Sequence, residues 1–171
     1  MTLETLNSLD HESFVKAVGW VFEHSRWVAE RAWSARPFAN AEALHLEMVK
    51  QVEHASFEER LALLRAHPDL GTRARVSEAS AAEQSGVGLD RLAPQEFEDL
   101  RQLNKDYRAK FGFPFLFAVQ GSAKRDILRA LRRRLFATQE EEYAEALEQA
   151  YRIARFRVDQ VLGCPLDFSH D

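Results

Sequence analysis

Helix-start signals recur along this sequence and restrict its fold more than any other feature. Ser56 with Glu59, and Thr138 with Glu141, form a pattern in which each side chain binds a backbone amide at a helix start. Apolar residues three or four positions apart follow these signals, as they do on one face of an amphipathic helix. The sequence therefore predicts a mainly α-helical protein.

Start and stop signals divide the chain into about seven predicted helices. Proline disfavours helical geometry in the residue before it, so one helix should end at Arg36 and another at His67. Pro94 suits the first turn of a helix that runs to Phe111 and stops at Gly112. The predicted helices begin after Asp10, near Trp27, after Asn40, after Ser56, at Pro94, after Ser122 and after Thr138, and the last ends at Gly163.

Strand-like and repetitive patterns are nearly absent. No alternating stretch is longer than Phe115 to Val119, and there is no internal repeat, low-complexity tract or linker. We therefore predict an all-α fold, a single-domain helical bundle of about seven helices over residues 1–171.

Composition argues against nucleic acids and membranes as binding partners and indicates the cellular compartment. The net charge is −4, from 23 basic and 27 acidic residues, whereas nucleic acids and anionic membranes favour basic chains. No apolar run approaches the roughly 18 residues of a membrane span. The single cysteine, Cys164, excludes an internal disulfide and fits a reducing compartment. Neither a secretion signal nor a peroxisomal address is recognisable, so we expect a cytosolic protein.

His67 is a candidate acid or base, in the segment Arg65-Ala66-His67-Pro68-Asp69-Leu70-Gly71. A histidine at a helix end followed by proline is fixed in position, and its pKa lies near neutrality. It can equally be a helix-terminal histidine that compensates the helix dipole. Spacing alone leaves both interpretations open.

Glu83 and Gln84 lie among small residues that leave room for a ligand. Ser80 and Glu83 are three positions apart, so on a helix they share a face. The alternative is a third capping box with Ser80 as the N-cap, and the local pattern alone favours it.

The segment from Phe111 to Val119 contains four phenylalanines around Gly112 and Pro114. The aromatic rings are suited to wall a flat ligand, and the extended backbone after Pro114 has amides and carbonyls to offer it. An apolar connection buried in the core explains the phenylalanines equally well. It does not explain where buried extended backbone finds hydrogen-bond partners.

Periodicity in the last helix separates two arginines. Arg157 lies between Ile153 and Val161 at four residues to each side, so its stem should run towards the interior. There it can present a planar fork to a carboxylate or a ring carbonyl. Arg155 has Asp159 four residues on and should be solvated or paired.

The other charged clusters predict no function. The basic run Arg129, Arg132, Arg133 and Arg134 is expected to be a solvated helix face. The six histidines show no metal-ligand spacing, so we predict no metal site.

Four segments together resemble the 2-oxo-4-hydroxy-4-carboxy-5-ureidoimidazoline (OHCU) decarboxylase family. They are Arg65-Ala66-His67-Pro68-Asp69-Leu70, Glu83-Gln84-Ser85-Gly86-Val87-Gly88-Leu89, Leu103-Asn104-Lys105-Asp106-Tyr107 and Lys110-Phe111-Gly112-Phe113-Pro114-Phe115. The resemblance runs from about Phe14 to Leu162. It implies an all-helical homodimer that needs no cofactor and forms (S)-allantoin and carbon dioxide in urate breakdown.

Site residues follow from matching these motifs. The family's catalytic histidine falls on His67, its acidic partner on Glu83 and the arginine of its last helix on Arg157. The stretch between His67 and Glu83 is shorter than in many relatives. The ligand-contacting positions fall on Pro68, on Ser80, Ala81, Ala82, Glu83 and Gln84, and on Phe115, Leu116, Phe117, Ala118 and Val119.

Two other functions are alternatives to the hypothesis of an OHCU decarboxylase. One is an enzyme of the same fold that acts on a related ureido or imidazoline substrate. The other is a non-catalytic helical binding or regulatory module that uses the basic helix at 125–134, which would need no organised pocket of histidine, glutamate and arginine.

Overall fold

The computed structural model describes residues 1–71 and 77–164. Within those ranges it contains nine α-helices and no strand. The helices are α1 (Leu3–Ser8), α2 (His11–Val18), α3 (Trp27–Ala32), α4 (Ala41–Glu53), α5 (Phe57–Arg65), α6 (Glu78–Gly86), α7 (Pro94–Phe111), α8 (Lys124–Arg134) and α9 (Gln139–Leu162). Two short 3-10 helices, Trp33–Ala35 and Leu89–Arg91, follow α3 and α6.

The all-α prediction is confirmed, but the count of about seven helices is wrong for the described residues. The two additional helices are α1 and α6. Six residues are too few for α1 to show an apolar period. In α6 alanine, serine and glutamate dominate, and its buried residues, Ser80 and Gln84, are polar. A search for apolar spacing therefore passes over both.

Capping chemistry places most of the helix starts where the sequence predicts them. Glu59 N donates to Ser56 Oγ and Ser56 N donates to Glu59 Oε2, both at 3.1 Å, so the predicted capping box is present. The Thr138–Glu141 box is present as well. One prediction is wrong: α8 is capped at Ala123, whose amide donates to Asp126, rather than at Ser122.

The described residues group into two compact units. Among these residues, the first unit comprises 1–66 and 151–164, and the second comprises 67–71 and 77–150. Helix α9 contributes its first half to the second unit and the remainder to the first. The prediction of one domain over 1–171 stays a prediction.

In the first unit, α3 packs against both α2 and α4. Its core consists of apolar side chains from these helices and their neighbours: Leu6, Phe14, Val18, Phe22, Val28, Leu44, Met48, Val52, Leu63 and Leu64. The apolar spacing of α2 and α4 thus faces inward, as the sequence predicts.

In the second unit, α7 packs against α8 around a cluster of aromatic rings. The ring of Tyr107 lies 4.6 Å from that of Phe111, 6.1 Å from that of Phe113 and 5.4 Å from that of Phe115, centroid to centroid. All four side chains are buried. Helix α7 ends at Phe111, and its C-cap Gly112 has a φ of 80°, the left-handed turn expected of a glycine stop.

Candidate functional site

His67 begins the second unit, directly after the end of α5. The helix ends at Arg65 with Ala66 as its C-cap, two residues before the predicted end at His67, where Pro68 disfavours helical geometry. The His67 side chain is 7% exposed. An imidazole held at a helix end and largely shielded from water has a defined orientation, as a general acid or base needs.

Three side chains from α6 and α7 fix the turn that follows His67, which we call the histidine turn (residues 67–71). Asn104 Nδ2 donates to the carbonyl of Leu70 at 2.9 Å, and the amide of Gly71 donates to Gln84 Oε1 at 2.8 Å. Arg108 pairs with Asp69 at 2.9 Å, half exposed. The turn is therefore held from both helices.

Gly71 closes the histidine turn in a conformation that glycine alone adopts without strain. Its φ is +69°, and a Cβ there would lie 2.4 Å from Leu100 Cδ2. Both the backbone and the surrounding space therefore require glycine.

Helix α6 brings Ser80, Glu83 and Gln84 onto one face. The N-cap is Ser77, which accepts from Ser80 N at 3.2 Å, so the local reading of Ser80 as the cap is wrong. Inside the helix, Ser80 and Gln84 are buried and Glu83 is half-buried. Ala81 and Ala82 are exposed, and their role as ligand contacts stays a prediction.

The aromatic segment lies mainly in the core. Phe113 and Phe115 pack on Tyr107, and the side chains of Phe115 and Leu116 are 1% and 2% exposed. Phe111, Phe113 and Phe115 are thus buried, as the alternative interpretation of a core connection expects, and Phe117 is half-buried; that these rings wall a ligand stays a prediction. The role of Phe115 and Leu116 as ligand contacts stays a prediction.

Two backbone groups of the segment 115–119 have hydrogen-bond partners on side chains rather than on a neighbouring strand. Arg134 Nη1 donates to the carbonyl of Leu116 at 2.6 Å. The amide of Ala118 donates to Gln149 Oε1 at 2.9 Å. Buried backbone groups need partners, and here two buried polar side chains provide them.

Arg134 belongs to a buried polar network with Glu142 and Tyr107. Its Nε donates to Glu142 Oε1 at 2.6 Å, and the Tyr107 hydroxyl donates to the same oxygen. The guanidinium also lies over the ring of Phe115, 4.5 Å from its centroid. Burial, together with the hydrogen bond to Glu142, raises the pKa of the Tyr107 hydroxyl far above its usual value of 10.0.

This network corrects the prediction of a wholly solvated basic run. Arg129, Arg132 and Arg133 are exposed, as predicted, but Arg134 is buried. Leu131 and Ile127 lie three and seven positions before Arg134, so helical spacing places it on the apolar face.

Arg157 lies in the first unit and faces inward, as periodicity predicts. Its side chain and that of Glu23 are each 1% exposed, and Nη1 lies 2.9 Å from Glu23 Oε2. The same Nη1 is 3.4 Å from the carbonyls of Trp20 and Val21. Arg155 pairs with Asp159 at 3.1 Å, also as predicted. That Arg157 shares a site with His67 and Glu83 stays a prediction.

Sequence reasoning missed two residues that organise this site. Asn104 lies between Leu100 and Tyr107 on the buried face of α7, a spacing that was readable. Gln149 has a local signal only in Glu145, four residues before it, to which its Nε2 donates at 2.8 Å. Its contact with Ala118 spans 31 positions and follows from tertiary structure alone.

Two further properties concern the residues 1–71 and 77–164. None of their helices combines the length and apolar character of a membrane span. No three of their histidine, cysteine, aspartate or glutamate side chains are grouped to hold a metal ion. The predictions of no cofactor and no metal site stay predictions.

The fold and the site define an all-α protein in which a turn with a buried histidine is held by polar residues of two helices. The family model for OHCU decarboxylase matches residues 7–159. The chain therefore belongs to the OHCU decarboxylase family.

Individual relatives agree with this assignment. The chain is 45% identical over 158 residues to a 2-oxo-4-hydroxy-4-carboxy-5-ureidoimidazoline decarboxylase of Haloferax volcanii, covering 92% of this chain and 94% of that one. It is 42% identical to the uric acid degradation bifunctional protein PucL of Bacillus subtilis, covering 94% of this chain and 33% of PucL. A crystal structure of (S)-allantoin synthase superimposes with a TM-score of 0.76 at 30% identity, over 95% of this chain and 54% of that one.

Proposed function

We propose that this protein is a carboxy-lyase that decarboxylates OHCU to allantoin and carbon dioxide in urate breakdown. The observation that carries the proposal is the family match over residues 7–159, together with relatives of nearly equal length that are named for this reaction. The histidine turn, with its buried His67 and its hydrogen bonds to Gln84 and Asn104, supports it from the structure.

The substrate supplies its own electron sink. The bond between the ring carbon and the carboxylate breaks, and carbon dioxide leaves. The electron pair moves into the ring, towards the adjacent carbon–nitrogen double bond, and the nitrogen takes a proton. The enol that remains loses its hydroxyl proton and gains a proton on the neighbouring carbon, which gives allantoin. Polar groups that orient the ring and move protons are sufficient for these steps.

We assign the proton transfers to His67 and Glu83. In this mechanism His67 holds or deprotonates the substrate hydroxyl. Glu83 binds the ureido side and helps to deliver a proton to one face of the ring, which fixes the (S) configuration. The reverse assignment of acid and base has the same proton balance and stays open. The fixed orientation of a buried imidazole supports its role in either direction.

Arg157 and the backbone of 115–119 complete the proposed site. Arg157 would anchor the substrate anion or a ring carbonyl. Its pairing with Glu23 partly neutralises its charge, which favours a role in planar hydrogen bonding over simple charge attraction. Since Gln149 already accepts from the amide of Ala118, we expect other backbone groups of this segment to contact the ring.

The decisive experiment generates OHCU in situ from urate with the upstream enzymes. Added protein should accelerate allantoin formation and yield a single enantiomer, followed by circular dichroism. His67→Ala and Glu83→Ala should each lower kcat by roughly 100-fold or more, as expected for the loss of a proton-transferring group. If both variants kept near wild-type turnover, this mechanism would be wrong.

The same preparation separates the competing functions. Turnover of related hydantoins in preference to OHCU would favour another substrate. A purely regulatory module should show no rise in melting temperature with (S)-allantoin, because a ligand that does not bind cannot stabilise the folded state. Activity that disappears with a chelator would contradict the cofactor-free mechanism.

We further propose a cytosolic homodimer. The family resemblance supports the dimer, and the single cysteine suits a reducing compartment. Sedimentation equilibrium should return twice the 19.6 kDa chain mass. A monomer at micromolar concentration would contradict the dimer.

A further inference from the structure

Two buried side chains, those of Arg134 and Gln149, form hydrogen bonds with the backbone of alternate residues in the segment 115–119. Arg134 donates to the Leu116 carbonyl at 2.6 Å, and Gln149 accepts from the Ala118 amide at 2.9 Å. Both side chains are 5% exposed, so water competes little for either hydrogen bond. These two hydrogen bonds therefore fix the directions of the Leu116 carbonyl and the Ala118 amide.

Gln149 is itself oriented by a neighbour on α9. A glutamine amide has an oxygen at one end and a nitrogen at the other, and only the oxygen can accept from Ala118. Glu145 Oε1 accepts from Gln149 Nε2 at 2.8 Å, and a carboxylate cannot donate in return. The carboxylate of Glu145 thus turns the acceptor end of Gln149 towards the Ala118 amide.

We infer that Gln149 is a positioning residue for substrate binding, and that Glu145 sets its orientation. Gln149 fixes the Ala118 peptide group before any ligand arrives, and the flanking backbone groups take their direction from it. Binding then needs no reordering of this segment, which lowers its entropic cost. The inference rests on the proposed function, in which the segment 115–119 contacts the ring of the substrate.

The test compares variants that keep or remove an acceptor opposite the Ala118 amide. Gln149→Met has a similar length and no strong acceptor. The double variant Gln149→Glu with Glu145→Gln keeps an oxygen at position 149 and supplies a donor at position 145. Glu145→Gln alone retains Gln149 and tests the orienting carboxylate. Gln160→Met, on an exposed position of α9, is the matched control.

Four measurements are made on each variant: kcat and KM for OHCU generated in situ, the dissociation constant for (S)-allantoin by calorimetry, and the melting temperature. Gln149→Met should lose roughly 10- to 100-fold in kcat/KM, the scale of a misplaced binding group, and should bind (S)-allantoin correspondingly more weakly. The double variant should recover most of both losses, even where its melting temperature falls below that of Gln149→Met. Glu145→Gln should lie between wild type and Gln149→Met, and Gln160→Met should match wild type.

Different results refute different claims. A wild-type protein that neither converts OHCU nor binds (S)-allantoin overturns the proposed function and this inference together. An active wild type with Gln149→Met within twofold of it overturns the positioning role alone. The positioning role is also overturned if activity follows melting temperature across the series, with the double variant as impaired as Gln149→Met.

Discussion

Replacing Glu142 by glutamine removes the charge at the centre of the buried network in the second unit. Glu142 Oε1 accepts from Arg134 Nε at 2.6 Å and from the Tyr107 hydroxyl. The side chains of Arg134 and Glu142 are 5% and 1% exposed. Glutamine has nearly the same shape, so the substitution isolates the charge from the packing.

The expected loss of stability follows from this burial. Removing one partner of a buried ion pair costs about 3–5 kcal/mol, because the remaining charge stays in a poorly solvated place. Glutamine keeps one oxygen that can accept from Arg134, so the lower end, about 3 kcal/mol, is expected. For a chain of this length each kcal/mol lowers the melting temperature by about 2–4 °C. The variant should therefore melt roughly 6–12 °C below wild type.

Urea unfolding, followed by the helical circular dichroism signal, measures this change. The midpoint should fall while the slope stays constant, which indicates lost stability without a change in the surface exposed. Glu148→Gln, on an exposed position of the same helix, removes the same charge and should stay within about 0.5 kcal/mol of wild type.

A fully apolar replacement tests the reasoning from the opposite direction. The triple variant combines Arg134→Met, Glu142→Leu and Tyr107→Phe. It removes both buried charges together, so neither charge is left without its partner. The Leu116 carbonyl loses its hydrogen-bond donor, which costs about 1–3 kcal/mol. This triple variant should be at least as stable as Glu142→Gln. Stability of Glu142→Gln within about 1 kcal/mol of wild type, or a triple variant clearly less stable than the single one, would refute the argument.

The structure also predicts how glycine-to-alanine substitutions and alkaline pH change the free energy of unfolding. Gly71→Ala combines a φ of +69° with a Cβ 2.4 Å from Leu100 Cδ2, so it should cost about 2–4 kcal/mol in urea unfolding. Gly86→Ala, where no atom lies within 4 Å of the new Cβ, should be neutral or slightly stabilising, and equal effects of the two alanines would contradict this account. Because the pKa of Tyr107 is raised by burial and by Glu142, the folded protein keeps the Tyr107 proton above pH 10, where the unfolded chain loses it. The free energy of unfolding should therefore fall as pH rises above about 10, and Tyr107→Phe should reduce this fall. Absorbance at 295 nm should show the Tyr107 hydroxyl ionising only on alkaline unfolding, and a Tyr107→Phe variant that keeps this step would assign it elsewhere.

Local chemistry in the sequence determined the helices with strong signals. The Ser56–Glu59 and Thr138–Glu141 boxes and the Gly112 stop act within a few residues, so their geometry is readable without tertiary structure. The missed helix α6 has its buried face made of Ser80 and Gln84, polar residues that give no apolar period. Motif resemblance supplied the family and the proposed catalytic residues His67, Glu83 and Arg157.

Tertiary structure alone decided which partners the buried polar residues bind. Arg133 and Arg134 are neighbours in one basic run, and Arg133 is exposed. Arg134 is buried and donates hydrogen bonds to Glu142, eight positions later, and to the Leu116 carbonyl, eighteen positions earlier. Gln149 reaches Ala118 across 31 positions, and Asn104 reaches Leu70 across 34. A polar group can be buried only where partners from distant parts of the chain replace its water, and sequence spacing does not encode where those partners lie.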